Sequence, residues 1–128
     1  MDLVYVTNES FLYHCYSIIK GLKKQCRTHV IIQAKEKTDE IDTWCKTFDA
    51  EFVKRKRFRN PLSIYSEYKF VRNLSKLKAD KIWFNIITAY QVILVKLFLK
   101  NFLVIIHDVE FHPGMNDLHS KIFLWLAF

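Results

Sequence analysis

Lys81-Ile82-Trp83-Phe84-Asn85-Ile86 opens a stretch that continues through Thr88 to Lys100 and closes with Phe102-Leu103-Val104-Ile105-Ile106. Two architectures compete for it. Taken as one piece, Ile82 to Ile106 has the length of a membrane span, which needs about 20 apolar residues. Asn85, Gln91, Lys96, Lys100 and Asn101 interrupt it. A lysine near the middle of a spanning helix costs on the order of 3 kcal/mol. The alternative is strand, helix and strand: two short apolar runs suited to a buried sheet, separated by an apolar helix. The five polar interruptions favour the alternative.

Upstream, the same alternation recurs. Leu3-Val4-Tyr5-Val6 reads as a buried first strand, and Thr7-Asn8-Glu9-Ser10 as the loop after it, rich in capping side chains. Phe11, Leu12, Cys15, Ile18, Ile19 and Leu22 recur at helical spacing, with Lys20, Gly21, Lys23 and Lys24 suited to the C-terminal end of that helix. His29 to Ala34 is a second strand, marked by its β-branched cluster. A short helix is expected from Asp39 to Phe48, with Ile41, Trp44, Cys45 and Phe48 inward, followed by a weaker third strand, Glu51-Phe52-Val53. Asn60-Pro61 starts another helix. Leu62, Tyr65, Tyr68, Phe70, Val71, Leu74 and Leu77 carry its apolar pattern to about Lys78, and Ala79-Asp80 turns the chain into the fourth strand. A last helix is expected over Asp117 to Phe128.

Strict alternation of strands and helices, with strands apolar along their whole length, implies a parallel sheet covered on both faces. Right-handed crossovers then give an α/β, Rossmann-like, doubly wound sheet of five strands in the order 3-2-1-4-5. Ligands of such sheets gather at the carboxyl ends of the strands, where the order reverses between strands one and four. The 128 residues are read as a single domain, residues 1–128, with enough apolar content (51%) for a real core.

Bulk properties narrow the function. Twenty basic residues against thirteen acidic give a net charge of +7, which favours polyanionic partners. The densest basic run is Lys54-Arg55-Lys56-Arg57-Phe58-Arg59. It reads either as a solvated face or as an anionic-membrane or phosphate contact, with Phe58 as an apolar wedge. A nucleic-acid groove is the third option. It is disfavoured because the aromatics fall at core spacing instead of interleaving with the cations, so no nucleic-acid partner is expected. Cys15, Cys26 and Cys45 are odd in number and widely spaced, which argues against a disulfide framework or a zinc finger and for a reducing cytoplasm. Cys15 falls on the apolar face of its helix and reads as core. The N-terminus lacks a charged region followed by a long apolar one, so no signal peptide is read there.

Chemistry-bearing residues concentrate where strands end. The fifth strand stops at His107-Asp108, and His112-Pro113-Gly114 follows in a turn. His107, Asp108 and His112 suit a ligand-contacting loop. A metal site from His107, Asp108, His112 and His119 is weakly supported, because these residues straddle a loop and a Pro-Gly turn and not one helix face; none is expected. With only Gly21 and Gly114 in the chain, neither a dinucleotide-binding GxGxxG nor a P-loop is present. Thr7, Asn8 and Glu9 after strand one read either as a plain cap or as the lining of a cleft that binds sugar hydroxyls. A receiver domain would need an acidic cluster after strand one and an Asp ending strand three. The sequence has neither.

The apolar strand Ile105-Ile106, His107-Asp108 and then His112-Pro113-Gly114 resembles the N-terminal domain of GT-B glycosyltransferases of the family 4 type that builds bacterial polysaccharides. The resemblance covers the whole chain in topology and this one segment in motif. It implies a cytoplasmic enzyme, peripheral at the inner face of the plasma membrane, that transfers a hexose from a nucleotide sugar to a glycan or lipid-linked acceptor. It needs no metal or other cofactor. His107 matches the histidine beside the donor sugar, Asp108 would support that loop, and Thr7, Asn8, Glu9, His112 and Gly114 would line the substrate side. Lys54, Arg55, Lys56, Arg57 and Arg59 would contact membrane or phosphate.

Two departures matter. Many members carry a Gly-Gly pair after strand one that lets backbone amides approach a diphosphate, and Thr7-Asn8-Glu9 stands there instead. The family's donor-binding C-terminal domain has no room in 128 residues. The isolated chain is therefore expected to bind nucleotide sugar weakly and not to turn over, whether it is a truncated frame, a cut domain or one subunit of a split enzyme. The rival reading is a non-enzymatic basic α/β module for an anionic membrane or nucleic acid.

Overall fold

The computed structural model describes residues 2–9, 12–56, 61–85 and 89–105. Five strands and four helices alternate: β1 Asp2–Asn8, α1 Leu12–Gln25, β2 Arg27–Ala34, α2 Asp39–Phe48, β3 Glu51–Lys54, α3 Leu62–Lys76, β4 Lys81–Asn85, α4 Ala89–Phe98 and β5 Phe102–Ile105. The strands form one sheet in the order β3-β2-β1-β4-β5. Every pairing is parallel. The fold is the expected α/β, Rossmann-like one. The Ile82 to Ile106 stretch divides into strand, helix and strand, as its polar interruptions imply. Among the described residues no helix is long and apolar enough to cross a membrane.

Alternation along the strands sorts side chains between two cores. Val4, Val6, Ile31, Ile82 and Phe84 meet Phe70, Val71 and Leu74 of α3 and Val92, Val95 and Leu99 on the α4 side. On the opposite face Tyr5, Val30, Ile32 and Ala34 meet Leu12, Cys15 and Ile19 of α1 and Ile41, Cys45 and Phe48 of α2. The sheet is thus doubly wound, with α1 and α2 on one face and α3 and α4 on the other. β1 lies at its centre, and Leu3 to Thr7 are all buried.

Helix α2 is locally well specified. The Thr38 hydroxyl accepts from the Ile41 amide at its start, and Asp49 closes it in the left-handed region at φ 50°, its amide donating to the Cys45 carbonyl. Lys23 of α1 donates to the carbonyl of Phe48, satisfying another acceptor at that end.

Three expectations are corrected. Thr7 and Asn8 belong to β1 and not to a loop, because the ladder to β2 continues through Thr7–Ile32 and Asn8–Gln33. Gly21 does not end α1; the helix runs on to Gln25. In α3 the inward stripe is Ser63, Glu67, Phe70, Val71 and Leu74. Leu62, Tyr65, Tyr68 and Leu77, read as core, are exposed. The helix begins with its polar side turned inward because Glu67 has buried partners there. The expected helix over Asp117 to Phe128 lies outside the described residues.

Candidate functional site

In a parallel sheet all strands deliver their carboxyl ends to one edge. Here Asn8, Ala34, Lys54, Asn85 and Ile105 end the five strands on that edge. β2 and β4 flank β1 on opposite sides, so the crossovers diverge between β1 and β4. The crevice between them is the natural ligand position of such a sheet. Two buried polar clusters border it, one on each face.

On the α1 face the centre is Cys15. The Tyr5 hydroxyl donates to its sulfur at 3.3 Å, and the Thr7 hydroxyl lies 3.3 Å away. From β4, the Asn85 carboxamide donates to the same sulfur at 2.8 Å and to Thr7 Oγ1 at 3.4 Å. All four residues are sequestered; Asn85 and Cys15 are fully buried. Burial pushes the Tyr5 phenol well above its usual range, and its bond to Cys15 adds to the effect. The cluster ties β1, α1 and β4 together directly beneath the switch point.

On the α3–α4 face the Gln91 carboxamide, in the first turns of α4, donates to Gln33 Oε1 of β2 at 2.9 Å and to Glu67 Oε2 of α3 at 2.6 Å. The other oxygen of Glu67 faces Arg55 Nε at 3.5 Å. The Arg55 amide donates to the Ala34 carbonyl at 2.8 Å, which fixes the start of the basic run against the end of β2. Among the described residues no buried side-chain nitrogen or oxygen lacks a hydrogen-bond partner. Both clusters are therefore pre-organised.

The sequence-derived site residues separate accordingly. Thr7 is buried at 1% exposure with its hydroxyl engaged by Cys15 and Asn85, so it shapes the crevice floor. Asn8 is half-buried and Glu9 exposed at the same edge. Lys54 and Lys56 are exposed, whereas Arg55 turns inward to Glu67, which removes it from an outward cationic face. Arg57, Arg59, His107, Asp108, His112 and Gly114 lie outside the described residues. Sequence reading missed Cys15, Gln33, Glu67, Asn85 and Gln91 as a bordering set. The available signal was an amide inside an apolar segment: Gln33 after Val30-Ile31-Ile32, Asn85 after Ile82-Trp83-Phe84, and Gln91 beside Val92-Ile93-Leu94. Such a group persists in a core only with partners.

Among the described residues no group of three or more His, Cys, Asp or Glu side chains could hold a metal ion. Surface grooves also lie away from the crevice. One of 320 Å³ runs between α3 and the outer strands, lined by Ile31, Val53, Lys69, Phe70 and Leu74 among others. A second, of 210 Å³, sits at the amino edge beside Asp2, Arg27 and His29. Comparison with family models, curated proteins and solved structures finds no match to this chain.

Proposed function

We propose that this chain is the acceptor-side half of a GT-B-type glycosyltransferase and that the β1–β4 crevice holds the sugar-bearing ligand. The observation that carries the reading is the parallel order β3-β2-β1-β4-β5. It brings the end of β5 to the same edge as Asn8, Glu9 and Asn85, and the chain reaches His107-Asp108 two residues after Ile105. Carboxamides, carboxylates and imidazoles are the groups that hydrogen-bond sugar hydroxyls.

The reaction is displacement at the anomeric carbon of a nucleotide sugar. The bond from that carbon to the diphosphate oxygen breaks, a bond to an acceptor hydroxyl oxygen forms, and the hydroxyl proton passes to a base or to the departing diphosphate. His107 lies beside the donor sugar in this reading and stabilises the charge that develops as the glycosidic bond opens, with Asp108 holding its loop. Asn8, Glu9, His112 and Gly114 contact the acceptor side. Lys54 and Lys56, with Arg57 and Arg59, draw the chain to the inner face of a membrane that carries a lipid-linked acceptor. No cofactor is required, and the donor's nucleotide is held by a second domain or subunit.

The test is a backbone-amide NMR titration of the chain with a panel of nucleotide hexoses and short oligosaccharides. The expected result is weak binding, with shifts confined to residues near Asn8, Glu9, Asn85 and His107, and no turnover by the chain alone. His107→Ala abolishes the sugar-dependent shifts while leaving the Asn85 resonance dispersed as in the folded protein. Shifts at the amino edge around Asp2 and Arg27, or none with any sugar, would overturn the reading.

A further inference from the structure

We propose that the outer face of the α3–α4 layer is the surface on which this protein lies against an anionic lipid bilayer, with the carboxyl-edge crevice at its rim. The inference does not depend on transferase activity. It rests on how charge and exposed apolar surface are divided between the two helix layers.

Twelve of the 20 basic residues, but only two of the 13 acidic ones, fall between Lys54 and Lys100, the segment that supplies α3, β4 and α4. Of those two acids, Glu67 is buried against Arg55, and Asp80 sits at the amino edge, its amide bonded to the Asp2 carbonyl. The α1–α2 layer is nearly balanced: Lys20, Lys23, Lys24 and Lys46 stand against Asp39, Glu40 and Asp42. Among the described residues of the two helices, α3 and α4 carry Lys69, Arg72, Lys76 and Lys96 against one acid, the buried Glu67, so this layer is the more positive of the two.

That same side exposes large apolar groups. With Ser63, Glu67, Phe70, Val71 and Leu74 inward, helical geometry turns Tyr65, Lys69 and Arg72 outward, flanked by Leu62 and Tyr68. Tyr65 is 60% exposed and Leu62 57%; on α4, Leu97 is 69% exposed and Ile93 42%. Cations and rings share the face. The Lys69 ammonium lies 5.3 Å from the Tyr65 ring centre, the Arg72 guanidinium 5.4 Å from that of Phe98, and Tyr68 meets Phe98 edge-on at 5.5 Å.

Tyrosines and aliphatic side chains set among lysines suit the boundary between lipid headgroups and acyl chains. A polynucleotide would use the cations and stack on the rings, but it offers little to Leu62, Ile93 and Leu97. A second copy of this face would bring like charges together. Because α3 runs opposite to the strands, its aromatic first half points toward the carboxyl edge, as does the start of α4, while Arg72 and Lys76 follow away from it. On the transferase reading, a lipid-borne acceptor would emerge from the bilayer beside the crevice.

The test is co-sedimentation of the full chain with phosphatidylcholine vesicles, with and without phosphatidylglycerol, and no sugar present. The expected result is binding to the mixed vesicles and not to pure phosphatidylcholine. Each cation near an anionic surface contributes about 1 kcal/mol, so K69Q/R72Q lowers partitioning on the order of 30-fold. Tyr65→Ser with Leu97→Ser also weakens binding at unchanged charge. K20Q/K24Q on the opposite layer changes it less than about threefold. All of these positions are exposed, and circular dichroism checks that the variants fold. The proposal is overturned if the chain ignores mixed vesicles, binds both kinds equally, loses as much affinity through K20Q/K24Q, or binds duplex DNA while leaving vesicles in the supernatant.

Discussion

Gln91 Nε2 lies 2.6 Å from Glu67 Oε2, so the opening turns of α4 are pinned to the middle of α3 by one hydrogen bond to a buried carboxylate. The same carboxylate faces Arg55, and the same carboxamide reaches Gln33. Removing Glu67 strands a buried amide and a largely buried guanidinium at once. Glu67→Ala is expected to cost about 3 kcal/mol, in the range for breaking a buried pair. Glu67→Gln keeps one acceptor oxygen, which can serve Gln91 or Arg55 but not both, so its cost is smaller, about half of that. Urea denaturation of the three proteins measures both. Equal, small losses for the two variants would show that the network does not hold these helices.

The contrast between α2 and α3 shows what the sequence could reveal. In α2 the apolar period alone gives the helix its bounds, Asp39–Phe48, and its inward Ile41, Cys45 and Phe48. In α3 the hydrophobic period placed Leu62, Tyr65 and Tyr68 in the core, and the structure exposes them. The deciding partner, Gln91, lies 24 residues from Glu67, beyond any local pattern. The strand order followed from alternation and crossover handedness, and it placed the crevice correctly between β1 and β4. The crevice border did not follow, because it is made by pairs such as Asn85 with Thr7 and Cys15, separated by 78 and 70 residues. Of the residues chosen from sequence, Asn8 and Glu9 reach the edge, while Thr7 and Arg55 are committed to internal contacts.

The three thiols differ in access. Cys15 is fully buried and accepts from Asn85, and Cys45 is buried with its thiol pushed up chiefly by desolvation. Cys26 is only partly covered. A thiolate-selective disulfide reagent is therefore expected to modify Cys26 rapidly in the native protein, and Cys15 and Cys45 only on the timescale of unfolding. Mass spectrometry of time-quenched samples reads the order. Rapid labelling of Cys15 would contradict the closed floor of the crevice.

Tyr5 links stability to alkaline pH. Burial first, and then the bond to Cys15, raises its folded-state pKa above the unfolded value near 10. The unfolded chain thus releases a proton that the folded one retains. The stabilisation is complete below the unfolded pKa and is lost as pH rises past it, by up to about 1.4 kcal/mol per pH unit. Tyr5→Phe cannot ionise, so its denaturation midpoint should fall less steeply above pH 10 than that of the parent protein. Parallel pH profiles would show that Tyr5 does not carry this dependence.

Two backbone positions are conformationally suboptimal, in opposite ways. Gly21 sits in the interior of α1, and a Cβ built there meets nothing within 4 Å. Gly21→Ala should stabilise the fold by about 0.5–1 kcal/mol, because alanine loses less backbone freedom on entering a helix. Asp49 adopts φ 50°, a left-handed conformation that costs an ordinary L-residue about 1 kcal/mol and costs glycine almost nothing. Asp49→Gly gives back part of that gain through the greater freedom of the unfolded chain, so its net effect is stabilising by less than about 1 kcal/mol. Gly21 lies in α1 and Asp49 caps α2, where Lys23 of α1 also binds the neighbouring Phe48 carbonyl, so a double variant in thermal denaturation reads whether the two ends couple. A destabilised Gly21→Ala would mean that the α1 surface near Gly21 is covered by another part of the protein.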